Sequence, residues 1–247
     1  AKATALMLSA IDPVRKIIID EEKFTLGYRG RLRAISMAEE KHERISEIFS
    51  HIQDKDHTII YCSDGKSCFE GTPRVNATEE IRHLEYILHL INTSCLSSVG
   101  SGKASKFTAT EDIQERMQLI DSFNKGYIEY LVAIRCLDEG INIPSIKSAL
   151  ILSSNDNYRE FVQRRGRILR LYPGKEKAHI YDVIVLPSIL NKAFAQIEFR
   201  RYFEYSRLAL NKDILVDKLE RLMSDYDLSY DDIKFNNDYV YGGDLDD

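Results

Sequence analysis

The chain has few features that would place it in a membrane, outside the cell or around a metal ion. No apolar run in the sequence approaches the roughly 18 residues needed to cross a bilayer. No basic segment followed by an apolar one opens the chain, which argues against secretion. The four cysteines show no CxxC or metal-ligand spacing, and the six histidines include no i, i+4 pair. These absences predict a cytosolic (cytoplasmic) protein with reduced cysteines and no metal site of its own.

Positive charge is not in excess either. The sequence has 34 basic and 39 acidic residues, a net charge of −5. This balance disfavours a dedicated nucleic-acid clamp, which usually has a basic face. It does not exclude nucleic acid, because backbone amides and hydroxyls can also hold phosphates. The chain opens at Ala1 and not at a methionine, and we expect it to be a fragment of a longer protein.

A complete phosphate-binding loop is also missing from the sequence. The run Gly100–Ala104 resembles part of one, but Ser97 stands where the GxxxxGK[ST] pattern requires Gly. Ala104 stands where that pattern has a magnesium-binding hydroxyl. We therefore predict a flexible loop over residues 100–107. The acidic pair Asp138-Glu139 follows no intact phosphate loop, so it is not interpreted as a nucleotide site.

Short apolar runs alternate with amphipathic segments over the middle of the chain. The strand-like runs lie at 58–62, 94–99, 130–134, 148–152 and 179–185. Helices are predicted at 39–53, 77–91, 110–123 and 158–165, and their surfaces are expected to carry His42, His51, His83 and His89. Thr110 is a candidate N-cap, and Gly126 is placed to end that helix. The alternation predicts an α/β fold with an open parallel sheet flanked by helices.

The two ends of the chain differ from this middle part. Residues 1–38 have weak periodicity and are predicted to form a helix and a connecting segment, and 39–188 form the α/β domain. Residues 189–247 are predicted to be a helical extension with an acidic tail, because apolar residues between Leu190 and Leu208 recur at helical spacing. From Asp225 onward the composition is typical of a solvated, partly disordered terminus.

The segment Gln163–Arg170 is the most informative part of the sequence. On a helix, Arg167 and Arg170 would share a face. Two permanently charged guanidiniums suit a polyphosphate whose negative charge shifts during hydrolysis. Gly166 removes a side chain beside them and allows another surface to approach. A basic surface helix with salt bridges is the alternative, but the pattern Gln-x-x-Gly-Arg-x-x-Arg just before the last strand favours function.

This segment resembles motif VI of superfamily 2 helicases, with Leu169 where the QRRGRxGR form has its second Gly. Thr58–Ser63 resembles motif IV, and Gln114–Gly126 resembles the helix before motif V. Tyr130–Pro144 resembles motif V of the EGxDxP type. The ordered set covers residues 39–187 and resembles the C-terminal RecA-like domain of DEAD/DEAH-type repair or restriction-system motor proteins.

The resemblance implies a site that two domains share. ATP and Mg²⁺ would be bound mainly by an N-terminal RecA-like domain of the same protein, so this fragment alone is expected to be inactive. Arg167 and Arg170 would be arginine fingers, and Gln163 would lie at the same interface. Gly140 and Gly166 would also lie near the ATP interface.

Two further roles follow from the resemblance. Asn142 stands where the family has an Asp that touches the ribose, and it keeps an oxygen but loses the charge. Ser63, Thr108 and Thr110 would approach the backbone phosphates of DNA, which is favoured over RNA. Thr110 fits a plain N-cap equally well.

Other function classes stay open at this stage. The chain could be a non-catalytic RecA-like module whose tail helices dock or regulate other proteins. The Asn142 departure and the acidic charge favour that alternative, whereas Arg167 and Arg170 disfavour it. A motor coupled to a separate nuclease domain is also compatible with the sequence.

Overall fold

The fold comes from a computed structural model that describes most of the chain. The described residues are 2–15, 17–36, 38, 41, 44–52, 56–67, 81–93, 103–134, 142–153, 158–186 and 192–233. They belong to two compact units: Ala1–Asn155 with Gln163–Val183, and Asp156–Val162 with Ile184–Asp247. Within the described ranges, every helix is too short or too polar to traverse a bilayer. The three-segment division at 38 and 188 stays a prediction.

The first unit is built on a sheet of five parallel strands in the order β4-β5-β1-β6-β7. Strands β2 and β3 form a separate antiparallel pair. Every residue of β1, β5 and β6 is buried, as expected of parallel strands covered on both faces. The predicted open parallel α/β sheet is confirmed. The strands are β1 (Thr58–Tyr61), β2 (Lys66–Ser67), β3 (Ile81–Arg82), β4 (Ala104–Phe107), β5 (Tyr130–Ala133), β6 (Ser148–Ile151) and β7 (His179–Asp182).

Helices flank this sheet and supply the other half of its core. Phe49 and Ile87 come from two of the helices and pack in one apolar cluster with Ile60, Val132 and Leu150 of the sheet. Burying such side chains is the main favourable term in folding. The helices in order are α1 (Lys2–Ser9), α2 (Glu21–Ser36), α3 (Ile45–His51), α4 (His83–Thr93), α5 (Ile113–Asn124) and α6 (Tyr158–Ile168), the last shared by both units.

The edge strand β4 differs from the sequence prediction. Residues 100–107 are predicted as a loop, but 104–107 form a strand that pairs in parallel with β5. Only Phe107 of this strand is fully buried, so no apolar run marks it in the sequence. Residues 104–107 form a strand because they pair with the fully buried strand β5. The predicted strand at 94–99 lies outside the described residues.

The N-cap of helix α5 lies two residues later than predicted. Asp112, and not Thr110, is the N-cap: its Oδ1 accepts from the Glu115 amide at 2.8 Å. In return Glu115 Oε2 accepts from the Asp112 amide at 3.1 Å, which completes a capping box. Two helix-end donors are satisfied in this way, which Thr110 alone cannot do. Gly126, with φ of +75°, follows the helix as predicted.

The N-terminal segment contains two helices, where one helix and a connection are predicted. Met7 of α1 and Phe24 of α2 are buried together in a small apolar cluster. A Cβ at Gly27 would come within 2.5 Å of the Met7 backbone nitrogen, so the helices approach at a position that only glycine allows. Weak apolar periodicity concealed this pair, because close backbone contact replaces large side chains.

The second unit contains three described helices: α7 (Lys192–Ser206), α8 (Lys212–Asp225) and α9 (Tyr230–Ile233). Phe199, Leu219 and Met223 form its core together with Ile233. The predicted helical extension is confirmed. Tyr226 and Ile233 are buried, so the prediction of a solvated terminus from Asp225 onward is wrong for the described residues up to 233. The residues after 233 lie outside the description.

A buried ion pair ties α7 to the start of the second unit. The Arg201 guanidinium donates to Glu198 Oε1 at 2.5 Å and to Oε2 at 2.9 Å. Glu198 Oε2 also accepts from the Val185 amide at 2.7 Å. Both charged side chains are almost fully buried, at 2% and 0% exposure. Removing one partner would therefore leave an uncompensated buried charge.

We predict that Arg201→Ala destabilises the second unit by roughly 3–5 kcal/mol, because the Glu198 carboxylate loses its counter-ion. Denaturant unfolding followed by circular dichroism would measure this change. Arg221→Ala, at an exposed position of α8, is the matched control and should stay within about 0.5 kcal/mol of the wild type. Equal stability of the two variants would contradict the buried pair.

Candidate functional site

The basic run on α6 separates into buried and exposed arginines. Arg164 and Arg165 are buried at 3% and 9% exposure. Arg167 is half-buried, whereas Arg170 and Gln163 are exposed. The four arginines therefore differ in exposure, and Arg167 and Arg170 are more accessible to a ligand than Arg164 and Arg165. The sequence analysis did not separate Arg164 and Arg165 from the rest.

Arg164 anchors α6 to the sheet. Its guanidinium carbon lies 4.8 Å from the centre of the Tyr61 ring, a cation–π distance. Its Nη1 also donates to the Ser153 carbonyl at 3.4 Å. Tyr61 ends β1 and Ser153 follows β6, so one side chain spans the carboxyl ends of two neighbouring strands. This role is structural.

Arg170 lies beyond the end of α6. The helix ends at Ile168, and the Arg170 amide is 3.5 Å from the Arg167 carbonyl. Arg167 lies in the last turn of the helix and Arg170 beyond it, so the two arginines do not share a face of α6. The Arg170 guanidinium instead donates from Nη1 to the Asn142 side-chain oxygen. The structure thus brings together two predicted site residues that are far apart in sequence.

The charge at this position is not neutralised by its partner. Asn142 is neutral, so it orients the Arg170 guanidinium and leaves it a full positive charge. Nearby Gly166 is exposed, and a Cβ there would meet nothing within 4 Å. Nothing in the described part of the chain occupies that space. The predicted interface residue Gly140 lies outside the described residues.

Lys175 is a neighbour of this site that the sequence analysis missed. Its ammonium donates to the carbonyls of Ile168 at 2.6 Å and Arg170 at 3.0 Å. A third contact reaches the Pro144 carbonyl at 3.4 Å. Burial lowers the pKa of Lys175, and the three carbonyl oxygens offset the lost hydration of its charge. The adjacent Pro173-Gly174 turn was the local signal that could have found it.

Ser63 is held at the carboxyl end of β1. Its amide donates to His83 Nδ1 at 3.2 Å, and its hydroxyl oxygen accepts from the Gly65 amide at 3.0 Å. Among the described residues, no acceptor is recorded for the hydroxyl proton, which could therefore meet an outside oxygen. His83 is fully buried, so the expectation that it lies on a helix surface is wrong. His51 is exposed as expected.

Thr108 and Thr110 follow β4 and are engaged by a carboxylate. Glu111 Oε2 accepts from the Thr108 amide at 2.5 Å and from its hydroxyl at 2.9 Å. The Thr110 hydroxyl contacts the Thr108 hydroxyl at 2.7 Å. The Glu111 side chain is only 8% exposed. The carboxylate therefore places a negative charge beside the two hydroxyls, and Lys106 Nζ lies 4.0 Å from its Oε1.

Metal-binding and phosphate-loop chemistry find no support in the described ranges. No group of three or more His, Cys, Asp or Glu side chains there could hold a metal ion. Lys103 precedes a strand, whereas a phosphate-loop lysine opens a helix. Cys62 is buried, and burial strongly raises the pKa of its thiol. The other three cysteines lie outside the described residues.

Comparison with known proteins relates part of this chain to one protein family and to several individual proteins. Residues 40–172 match the family described as the helicase conserved C-terminal domain. The chain is 35% identical over 63 residues to the DNA 3'-5' translocase XPB2 of Sulfurisphaera tokodaii, covering 26% of this chain and 14% of the relative. It is 29% identical over 136 residues to the UvrABC system protein B of Fusobacterium nucleatum, covering 51% and 20%.

One match extends over more of the chain but has a lower sequence identity. The chain is 23% identical over 209 residues to the putative ATP-dependent RNA helicase MJ1505 of Methanocaldococcus jannaschii, covering 82% of this chain and 24% of the relative. The chain therefore matches only between 14% and 24% of the length of these relatives.

We predict that Arg164→Ala destabilises the first unit by at least about 2 kcal/mol, because a desolvated cation–π contact and a buried side chain are lost. Denaturant unfolding is the measurement. Gln163→Ala, its exposed neighbour on the same helix, should change stability by no more than about 0.5 kcal/mol. If Arg164→Ala matches Gln163→Ala, the anchoring role is wrong.

Proposed function

Because the chain belongs to the helicase conserved C-terminal domain family, we propose that it is the C-terminal motor half of an ATP-dependent nucleic-acid helicase or translocase. An N-terminal RecA-like domain of the same protein would bind ATP and Mg²⁺. This chain would complete the site from across a cleft. The observation that carries the proposal is Arg170, an exposed guanidinium that a neutral Asn142 holds in place.

Arg170 has the properties that phosphoryl transfer requires. Its charge is permanent, and Asn142 does not neutralise it. A preorganised cation stabilises negative charge that develops on the phosphates, and it does so without reorganising during the reaction. Bound Mg²⁺ would neutralise phosphate charge from the other domain. The described residues offer no carboxylate cluster for the metal, so this chain is assigned no metal-binding step.

The neighbouring residues are assigned supporting roles. Arg167 would be the second finger, and Gln163 would lie at the same interface near the phosphates or the attacking water. Exposed Gly166 leaves room for the opposite domain to approach. Gly140 stays a proposed interface residue on the strength of the sequence alone. Asn142 Oδ1 already accepts from Arg170, so a ribose hydroxyl would meet its remaining amide group.

The proposed nucleic-acid track contains Ser63, Thr108 and Thr110. Ser63 can offer its hydroxyl proton to a backbone phosphate. Thr108 can do so only when Glu111 releases its donors. The Thr110 hydroxyl must also leave its contacts with the Thr108 hydroxyl and with Glu111 Oε1. DNA is the favoured strand, supported by the Glu139-to-Pro144 pattern and by the description of one relative as a DNA translocase. This contact set needs no basic face.

We predict that Arg170→Ala lowers ATP turnover by roughly two orders of magnitude or more in the protein that joins this chain to its N-terminal motor domain. Arg170→Lys should recover only part of the activity, since an ammonium lacks the planar fork. Steady-state ATPase assays in the presence of single-stranded DNA are the measurement. The isolated chain should hydrolyse ATP negligibly.

Lys177→Ala is the matched control, because this exposed lysine lies outside the proposed site. Its turnover should equal that of the wild type. Wild-type turnover in Arg170→Ala would refute the finger role and favour the non-catalytic docking module. ATPase activity of the isolated chain comparable to that of the joined protein would refute the shared site.

We also predict that Glu111→Gln strengthens binding of single-stranded DNA by this chain by roughly threefold to tenfold. Removing one negative charge next to a phosphate at the surface is worth about 1 kcal/mol. Fluorescence anisotropy with a labelled oligonucleotide at low salt would measure it. Salt at a few hundred millimolar should reduce the difference, since screening weakens it.

Glu176→Gln is the control, because it removes one negative charge at an exposed position away from the proposed track. It separates the effect of the charge beside Thr108 and Thr110 from the effect of the change in net charge. It should leave the affinity near that of the wild type. Equal or weaker binding by Glu111→Gln than by Glu176→Gln would show that Thr108 and Thr110 do not face the strand.

A further inference from the structure

The segment after α6 is built to return the chain towards the helix end. Residues 172–175 form a β-turn in which the Lys175 amide donates to the Tyr172 carbonyl at 3.0 Å. Pro173 restricts φ at the second position of the turn, and Gly174 has a φ of +77° at the third. This is the arrangement of a type II turn, in which glycine is strongly preferred at that position. The turn sets the position of Lys175.

All three donors of the Lys175 ammonium are matched by carbonyl oxygens. One of these belongs to Ile168, the last residue of α6, where carbonyls have no helical partner, and a second belongs to Arg170 just beyond the helix. A positive charge is favourable there, because the C-terminal end of a helix is the negative end of its dipole. The third carbonyl belongs to Pro144, in the segment that carries Asn142.

These contacts close a ring around Arg170. Lys175 holds the Arg170 backbone and the Pro144 backbone with one ammonium. Asn142, two residues before Pro144, accepts from the Arg170 guanidinium. The Arg170 side chain therefore contacts the segment 142–144 directly, and its backbone is connected to that segment through Lys175. We expect the guanidinium to be held less rigidly if either contact is lost.

We propose that Lys175 is a positioning residue that fixes Arg170 in the orientation in which Asn142 holds its guanidinium. Lys175 does not touch the phosphates itself, because carbonyl oxygens occupy its three donors. That Arg170 then meets ATP phosphates rests on the proposed function. The ordering of Arg170 by Lys175 does not rest on it and can be tested in this chain alone.

The first experiment compares Lys175→Met with the wild type in the isolated chain. Methionine keeps an apolar stem and removes the ammonium. The {¹H}–¹⁵N NOE of Arg170 Nε measures how rigidly its guanidinium is held. We expect a value near that of the ordered backbone in the wild type and a clear fall in Lys175→Met and in Asn142→Ala. Lys177→Met is the matched control and should leave the value unchanged.

A second variant covers the case in which Lys175→Met does not fold. Gly174→Ala keeps the ammonium but strains the turn that places it, since φ of +77° is unfavourable for alanine. It should lower the Arg170 Nε NOE in the same direction. An unchanged NOE in whichever of these variants folds would overturn the inference.

The second experiment measures ATP turnover in the joined protein. Lys175→Met should lower kcat by roughly 10- to 100-fold, since a small misplacement of a catalytic group costs about that much. KM for ATP should stay within about twofold, because the contact with Arg170 is needed mainly in the transition state. Adding Lys175→Met to Arg170→Ala should cause no further loss, whereas a general folding defect would add to it.

The two proposals fail differently. A fall in the Arg170 Nε NOE together with wild-type turnover in Arg170→Ala refutes the finger role and supports the positioning contact. A further loss of kcat in the double variant, equal to that of Lys175→Met alone, overturns the positioning role. It does so even where Arg170→Ala confirms the finger.

Discussion

Strand β1 pairs in parallel with β5 on one side and with β6 on the other, and the first unit is arranged around this pairing. Parallel neighbours need long crossovers, so each strand is followed by a segment that leaves the sheet edge. All of β1 is buried, and polar groups collect where the strands end. Ser63 and Ser153 lie at two such ends, and Arg164 connects that edge to α6.

The proposed function depends on where charges are placed and not on how many there are. The net charge of −5 hides a local arrangement in which each charge has a different partner. The Arg170 guanidinium contacts a neutral amide, which does not offset its charge. The Lys175 ammonium instead donates its hydrogen bonds to backbone carbonyls. Glu111 places a negative charge on the hydroxyls nearest the proposed strand path. Arg170 is therefore an exposed cation that its described partner does not neutralise.

Much of the fold could be predicted, because a strand that is buried on both faces of the sheet appears in the sequence as a continuous apolar run. The apolar runs at 130–134 and 148–152 became β5 and β6 for that reason. Strand β4 could not be predicted in this way, since an edge strand needs only one buried side chain. The capping box at Asp112 and the Pro173-Gly174 turn were readable local signals.

The sequence by itself determined the α/β class, the order of the helicase-like motifs and the presence of a glycine beside paired arginines. These follow from local composition and spacing. Only the tertiary structure decided which arginines are buried, where α6 ends and what holds Arg170. Its partner Asn142 lies 28 residues away in sequence, and Lys175 acts through carbonyls that any residue would supply. Burial and backbone hydrogen bonds of this kind depend on contacts between distant segments, which spacing alone does not encode.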